Sequence, residues 1–227
     1  MRLLAIALFT ILVTNAAAAQ TTLPYDHVHL AAPDQAKAVE WYQQMFGGQT
    51  TPEGKDRLLF GKTRFIWLKS DTAQPSANTA IDHIAFSIAD RAPGFITDPW
   101  GVKIEILNDP ARRGFHHVHL RAVDPAASLA WYQSRFGGDR VKYAGVDALK
   151  YGDVLVLVQK ADTAPAASVG HALDHVGWRV ADLDRTLADL AGIKVMQGPT
   201  ELKLATATVH YSFVEDPGGT KIELVQR

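Results

Sequence analysis

One strand opening occurs four times in this chain, and that repetition constrains its fold more than any other feature. Tyr25-Asp26-His27-Val28-His29-Leu30 returns ninety residues later as Phe115-His116-His117-Val118-His119-Leu120. Asp82-His83-Ile84-Ala85-Phe86 and Asp174-His175-Val176-Gly177-Trp178 open in the same way. Self-similarity of this kind marks a chain built from repeated supersecondary units, so the units have to be read before the fold. Within each copy the apolar residues alternate. Strand side chains point to opposite faces with period two, so Val28 and Leu30 share one face while His27 and His29 share the other. Likewise Ile84 and Phe86 lie opposite His83 and Ala85, and Val176 and Trp178 lie opposite His175 and Gly177. One face of each strand is therefore core, and the other presents imidazole. A single histidine there would read as a structural residue; four in register point to a site.

The units differ in length. After the first strand, Pro33-Asp34 opens a helix in which Ala38, Trp41, Tyr42, Met45 and Phe46 form one apolar stripe, stopped by Gly47-Gly48. Its counterpart runs from Asp124-Pro125 through Trp131-Tyr132 to Phe136, stopped by Gly137-Gly138. The Trp-Tyr pairs, at helical spacing opposite an apolar sheet face, are expected in the core. Hairpin-like runs follow, Arg57–Phe60 with Arg64–Leu68, and Ala148–Tyr151 with Val154–Val158. Polar linkers, Ser70–Thr79 and Ala161–Gly170, lead into the even units. The fourth unit is complete, with a short helix over Leu183–Leu190 and strands to Gln226. The second passes almost directly from Ile88 to Phe95, leaving no room for a helix. Both even units close alike: Phe95-Ile96-x-Asp98-Pro99-x-Gly101-x-Lys103-Ile104-Glu105 matches Phe213-Val214-x-Asp216-Pro217-x-Gly219-x-Lys221-Ile222-Glu223. Asp-Pro-x-Gly is a turn, with φ fixed at proline and free at glycine. It delivers a strand whose isoleucines face the core and whose glutamate faces the histidine side, or else faces solvent on an edge.

Composition narrows the function classes. A net charge of -1 gives no electrostatic footprint for nucleic acid. The absence of cysteine excludes disulfides, thiolate metal sites and cysteine nucleophiles. Met1-Arg2, the apolar run Leu3–Val13 and the small-residue exit Ala16–Ala19 read as a secretory signal cleaved after Ala19. The run is short for a membrane span, and a retained anchor helix is the other reading. The expected mature protein starts near Gln20, is secreted or periplasmic, and has no stable membrane association.

The Asp-His openings, the Trp-Tyr helix ending in Phe-Gly-Gly and the closing Asp-Pro-x-Gly-x-Lys-Ile-Glu together resemble the vicinal oxygen chelate superfamily. That family includes glyoxalase I, the fosfomycin and bleomycin resistance proteins and the extradiol dioxygenases. The resemblance spans Tyr25 to Arg227. It implies an α+β fold of four βαβββ modules, the second truncated, pairing into cupped half-barrels. It implies one domain over residues 20–109 and a second over 110–227. It also implies a divalent metal (Fe, Mn, Zn, Ni or Co) held by histidines of first strands and the glutamate of a last strand. Carried over, the ligands fall in two sets: His27, His83 and Glu105; and His117, His175 and Glu223. Two imidazoles and a carboxylate leave coordination positions open for a bidentate oxygen substrate. The fourth ligand of glyoxalase I falls on Trp67 and Val156, which cannot ligate. The tyrosine acid expected ten residues before the glutamate in extradiol dioxygenases falls on Phe213 or Phe95.

Four more residues complete the expectation. His29 and His119, two positions beyond ligand histidines, are candidates for proton transfer or water positioning, or are polar lining. Arg121 and Arg179, on the histidine faces of their strands, are candidates to bind an anionic substrate group, or pair with Asp124 and Asp182. The expected function is an exported, metal-dependent enzyme acting on a small oxygen-chelating molecule by lyase, isomerase or dioxygenase chemistry. The alternative is a sequestering protein of the bleomycin-resistance type.

Overall fold

Asp34 and Asp124 show how locally the chain encodes its elements. Each caps a helix, its carboxylate accepting the backbone N–H of Lys37 at 3.1 Å or Ala127 at 3.0 Å. Each helix then ends at a glycine with positive φ, Gly47 at 74° and Gly137 at 73°. The computed structural model describes residues 21–190, 192–204 and 207–227. The expected signal segment, residues 1–19, lies outside them.

The first module is β1 (Tyr25–Ala32), α1 (Gln35–Phe46), β2 (Gln49–Thr51), β3 (Gly54–Phe60) and β4 (Thr63–Lys69). The second has three strands and no helix: β5 (Ile81–Ser87), β6 (Gly94–Thr97) and β7 (Lys103–Leu107). The third is β8 (Gly114–Ala122), α2 (Pro125–Phe136), β9 (Asp139–Tyr143), β10 (Val146–Tyr151) and β11 (Val154–Lys160). The fourth is β12 (Leu173–Arg179), α3 (Leu183–Asp189), β13 (Lys194–Lys203), β14 (Thr208–Glu215) and β15 (Lys221–Gln226). This is the α+β fold of four modules, the second truncated, that the repeats predict. Strand β13 is longer than the pattern suggests, because its residues are almost all exposed and give no apolar alternation.

The sheets run across the expected division at residue 110. One sheet has the order β13-β14-β15-β12-β1-β4-β3-β2 and the other β6-β7-β5-β8-β11-β10-β9. The first module is thus joined to the fourth, by antiparallel pairing of β1 with β12, and the second to the third, by antiparallel pairing of β5 with β8. Each sheet takes one module from each half of the chain.

One core joins all four modules, and consecutive modules meet in it. Phe46, at the end of α1, stacks on Phe86 of the second module at 4.0 Å, and Phe136 stacks on Trp178 of the fourth at 4.7 Å. Such pairs contribute about 0.5–1.5 kcal/mol beyond their buried area. The buried hydroxyls of Tyr42 and Tyr132 donate to Asp98 at 2.9 Å and to Asp216 at 2.8 Å. The second oxygen of each aspartate accepts backbone N–H groups of its own turn. Each helix thereby fixes the Asp-Pro turn of the following module, and with it the strand that carries Glu105 or Glu223. The Trp-Tyr pairs are packing residues: Tyr42 and Tyr132 are fully buried.

Candidate metal centres

Antiparallel pairing of β1 with β12 sets His29 opposite His175 and His27 opposite Gly177. Parallel pairing of β12 with β15 places Glu223 beside Gly177. Four side chains therefore converge on one face of the first sheet: His27, His29, His175 and Glu223, with ligand-type atoms all within 4.8 Å of one another. The second sheet repeats the arrangement. β5 pairs with β8 and β7, setting His83 opposite His119 and Ala85 beside both His117 and Glu105. His83, Glu105, His117 and His119 form the second cluster, again within 4.8 Å. Six of the nine histidines in the sequence belong to these two groups.

The sets expected from sequence are regrouped. His27 joins His175 and Glu223, while His117 joins His83 and Glu105, because side chains meet across hydrogen-bonded strands and those strands link the two halves of the chain. Trp67 and Val156, the places expected for a fourth ligand, face the core and are buried. The residues that do look into the cups beside β1 and β8 are Ile66, across from His29, and Leu155 and Leu157, across from His117 and His119. They too are unable to ligate. A fourth polar side chain reaches each cluster from the first strand itself, as His29 or His119.

Both donor sets fit a divalent ion. A metal with ligands at about 2.0–2.2 Å separates neighbouring donors by about 3.0–3.4 Å, depending on geometry. Glu223 Oε2 lies 3.2 Å from His27 Nε2 and 3.0 Å from His175 Nε2. Glu105 Oε2 lies 3.4 Å from His83 Nε2 and 3.2 Å from His117 Nε2. His119 Nδ1 lies 3.1 Å from His83 Nε2. His27 Nε2, His29 Nδ1 and His117 Nε2 are buried with no hydrogen-bond partner. A buried polar nitrogen without a partner is costly, and a metal would satisfy all three.

The protein also orients the rings. His27, His83 and His175 each turn Nδ1 to the preceding aspartate, at 2.9, 2.7 and 2.5 Å. Those carboxylates are held by cations in turn: Asp26 by Arg64 and Arg227, Asp82 by Lys103, Asp174 by Lys221. With Nδ1 engaged, Nε2 is left for a ligand. Gly177 makes room for the first centre. A Cβ there would lie 2.1 Å from Cε1 of His27 and 2.3 Å from its Nε2.

The electrostatics of the clusters differ. At His27 burial disfavours charge, but the nearby Glu223 charge and the hydrogen bond to Asp26 outweigh it and raise the pKa to about 9. Burial, reinforced by His175 and His27, drives His29 well below its ordinary value. In the second cluster burial lowers His117 to about 4 and, with His83, lowers His119 to about 3. The close approach of His117 and His83 keeps Glu105 ionised far below the usual carboxylate range. Glu223 is shifted the same way; the His27 charge and the His175 hydrogen bond overcome its burial. The Glu223 side chain is 10% exposed and that of Glu105 29%.

Phe213 and Phe95 stand edge-on to His175 and His83, at 5.0 and 5.2 Å, with Lys221 and Lys103 over their outer faces. They wall the sites and carry no acid. The two arginines do not meet at one site. Arg121, on the second sheet, donates to Asn78 at 3.1 Å and lies 3.8 Å from Asp82. Arg179, on the first sheet, is exposed and lines a cleft with Tyr25, Phe60 and Phe115 that contains none of the cluster residues.

Comparison with known proteins now bears on this geometry. The model of the Glyoxalase/Bleomycin resistance protein/Dioxygenase superfamily matches residues 114–224. The match covers just under half of the chain and likens those residues to that superfamily. Its fold extends over the remainder. Glyoxalase I from Zea mays superposes with a TM-score of 0.69 at 20% identity, covering 90% of this chain and 92% of the maize chain. An inferred dioxygenase from Bacillus subtilis gives 0.61 at 14% identity, covering 92% and 86%. Among curated protein sequences none matches the chain.

Proposed function

We propose that this protein is a divalent-metal-dependent enzyme of the glyoxalase/dioxygenase superfamily, acting on a small molecule that chelates through adjacent oxygens. The observation that carries this reading is the spacing of Glu223 Oε2 and Glu105 Oε2 to their histidine nitrogens, 3.0–3.4 Å, beside buried nitrogens that lack any hydrogen-bond partner. His27, His175 and Glu223 would hold one ion, with His29 next to it; His83, His117 and Glu105 would hold another, with His119 next to it. When bound, such an ion supplies Lewis acidity toward a substrate oxygen. The chain's own residues do the rest. Asp26, Asp82 and Asp174 fix the ring orientations, Phe213 and Phe95 shield one side of each cup, and the buried imidazoles hold water away. His29 and His119 stay neutral near pH 7, and as neutral imidazoles they can position a substrate hydroxyl or a water by hydrogen bonding. An anionic substrate group would meet Lys103 or Lys221 at the cup rim before either arginine.

Metal analysis of protein purified without chelator tests the reading; one to two divalent ions per chain are expected. Calorimetric titration with Zn²⁺ or Mn²⁺ that shows no binding tighter than surface histidines give would overturn it. We further propose that the protein is exported, on the strength of the Met1–Ala19 pattern. Among the described residues no helix is long and apolar enough to cross a membrane. N-terminal sequencing of the extracytoplasmic product should begin near Gln20; a product retaining Met1 would refute export by cleavage.

A further inference from the structure

The cleft beside Arg179 lies outside both candidate metal centres. It holds about 1140 Å³, ample for a small organic molecule, and sits at the starts of β1 and β8 beside the β3–β4 and β10–β11 turns. Equivalent positions from the two halves of the chain build it. Tyr25 and Phe115 open the matching strands, and Phe60 and Tyr151 precede the matching turns, Gly61-Lys62 and Gly152-Asp153. The repeat therefore accounts for the four rings as packing residues where the halves meet.

The charges do not follow the repeat. Five cations and two carboxylates line the cleft, in a chain whose net charge is -1. The cations are Lys62, Arg64, Arg112, Arg113 and Arg179. At the matching positions the other half has Asp153, Leu155, Thr22, Leu23 and Ser87, none of them basic. Of the two carboxylates, Asp26 is already matched by Arg64 and Arg227. Arg112 is bonded to Asp109 at 3.1 Å, and Arg113 reaches Ser87 at 3.5 Å. Lys62 and Arg179 have no side-chain partner among the described residues. These two flank one strand start. β1 lies between β4 and β12; Lys62 immediately precedes β4, and the backbone N–H of Arg179, the last residue of β12, donates to the Pro24 carbonyl at 2.9 Å. Neighbouring strands lie about 4.8 Å apart, so the backbones of Lys62 and Arg179 are separated by about 10 Å. A lysine and an arginine side chain reach across that gap to a shared anion.

We propose that the cleft binds a small aromatic anion, its ring against Tyr25, Phe60 and Phe115 and its carboxylate or sulfonate between Lys62 and Arg179. A floor made of rings favours a ring on it, and the guanidinium and ammonium supply charge-assisted hydrogen bonds. The site is separate from the cups and does not depend on their holding metal. A rim of solvated charges over a packed seam predicts no such binding.

The probe is 8-anilinonaphthalene-1-sulfonate, with N-phenyl-1-naphthylamine as the same ring system lacking the sulfonate. In ¹H–¹⁵N correlation spectra of the full-length protein, the sulfonate should shift the amides of Tyr25, Lys62, Phe115 and Arg179 saturably and leave those of His83 and His175 in place. Lys62 and Arg179 are exposed, so replacing them leaves the core intact. Lys62→Ala or Arg179→Ala should weaken the sulfonate about two- to fivefold, and the double variant about tenfold, with the neutral amine unaffected. The absence of saturable binding, shifts at His83 and His175 instead, or equal sulfonate affinity in the parent and the folded double variant would overturn the proposal.

Discussion

Gly177→Ala offers a sharp test of the first centre, because the added methyl has one target. Gly177 sits in β12 directly across from His27, in ordinary strand conformation, so the substitution carries no backbone strain. Taken alone, replacing a strand glycine by alanine would stabilise the chain by about 0.4–1 kcal/mol through its unfolded state. Here the new Cβ would lie 2.1, 2.3 and 2.6 Å from three atoms of the His27 ring. Restoring ordinary contact, about 3.4 Å, requires the ring or the strand to shift by about 1 Å. The ring has little freedom: it is fully buried, tied to Asp26 at 2.9 Å and faced by Glu223 at 3.2 Å. Overpacking of this kind costs about 1–3 kcal/mol. At about 2–4 °C per kcal/mol, that lowers the melting temperature by about 2–12 °C. A metal site tolerates donor shifts of only about 0.2 Å, so affinity at the first centre should drop tenfold or more. The second centre should be untouched; its equivalent position, Ala85, already carries a Cβ beside His117. Differential scanning fluorimetry with and without Zn²⁺, combined with calorimetric titration, reads both effects. A Gly177→Ala protein that is as stable as its parent and retains both binding events would refute the placement of His27.

Two further expectations concern the same centres. His175→Ala should abolish most metal-induced stabilisation and His83→Ala should leave much of it, because Glu223 is the more buried carboxylate and its module keeps a helix; equal losses in metal stoichiometry would argue against unequal centres. In metal-free protein, His27 is raised to about 9, so its stabilisation is complete below pH 6.5 and lost as pH rises toward 9. His117 and His119 are lowered to about 4 and 3, so their contribution is present above pH 6.5 and lost as pH falls toward 4. Melting temperature measured after chelation should therefore peak near neutral pH, and a steady rise from pH 6 to 9 would contradict the His27–Glu223 contact.

Local chemistry was readable from the sequence because it repeats. Alternation in Tyr25–Leu30 and its copies assigns the core and concave faces, and Val28, Leu30, Ile84, Val176 and Trp178 are all buried apolar residues there. The helices are legible in Asp34, Asp124 and the Phe-Gly-Gly stops, and the missing second helix in the shortness of Ile88–Phe95. Two things were not legible. Trp67 and Val156 were considered for the fourth ligand, but a shift of one residue along a strand exchanges its faces, and both turn to the core. His29 and His119, expected as proton-transfer, water-positioning or lining residues, complete the two clusters from the first strand, where the likeness to three-ligand relatives placed no fourth donor. Module pairing was the other. Repeats report which segments are alike, whereas pairing depends on contacts between segments far apart in sequence. The one local clue is the small residue, Gly177 or Ala85, opposite a first-strand histidine of another module.

That pairing has a functional consequence. Consecutive modules share a core, through Phe46 with Phe86 and Phe136 with Trp178, while alternate halves of the chain share a sheet. His27 and His29 reach the first cluster from one half of the chain, His175 and Glu223 from the other; His83 and Glu105 meet His117 and His119 in the same way. Division at residue 110 would keep the Phe–Phe and Phe–Trp stacks yet leave every cluster with two donors. One apolar core nevertheless runs through all four modules, with Tyr25 against Trp178 at 5.2 Å and Phe65 against Phe115 at 4.9 Å crossing the same division. A loss of packing between the two halves would therefore cost core contacts and open both clusters at once.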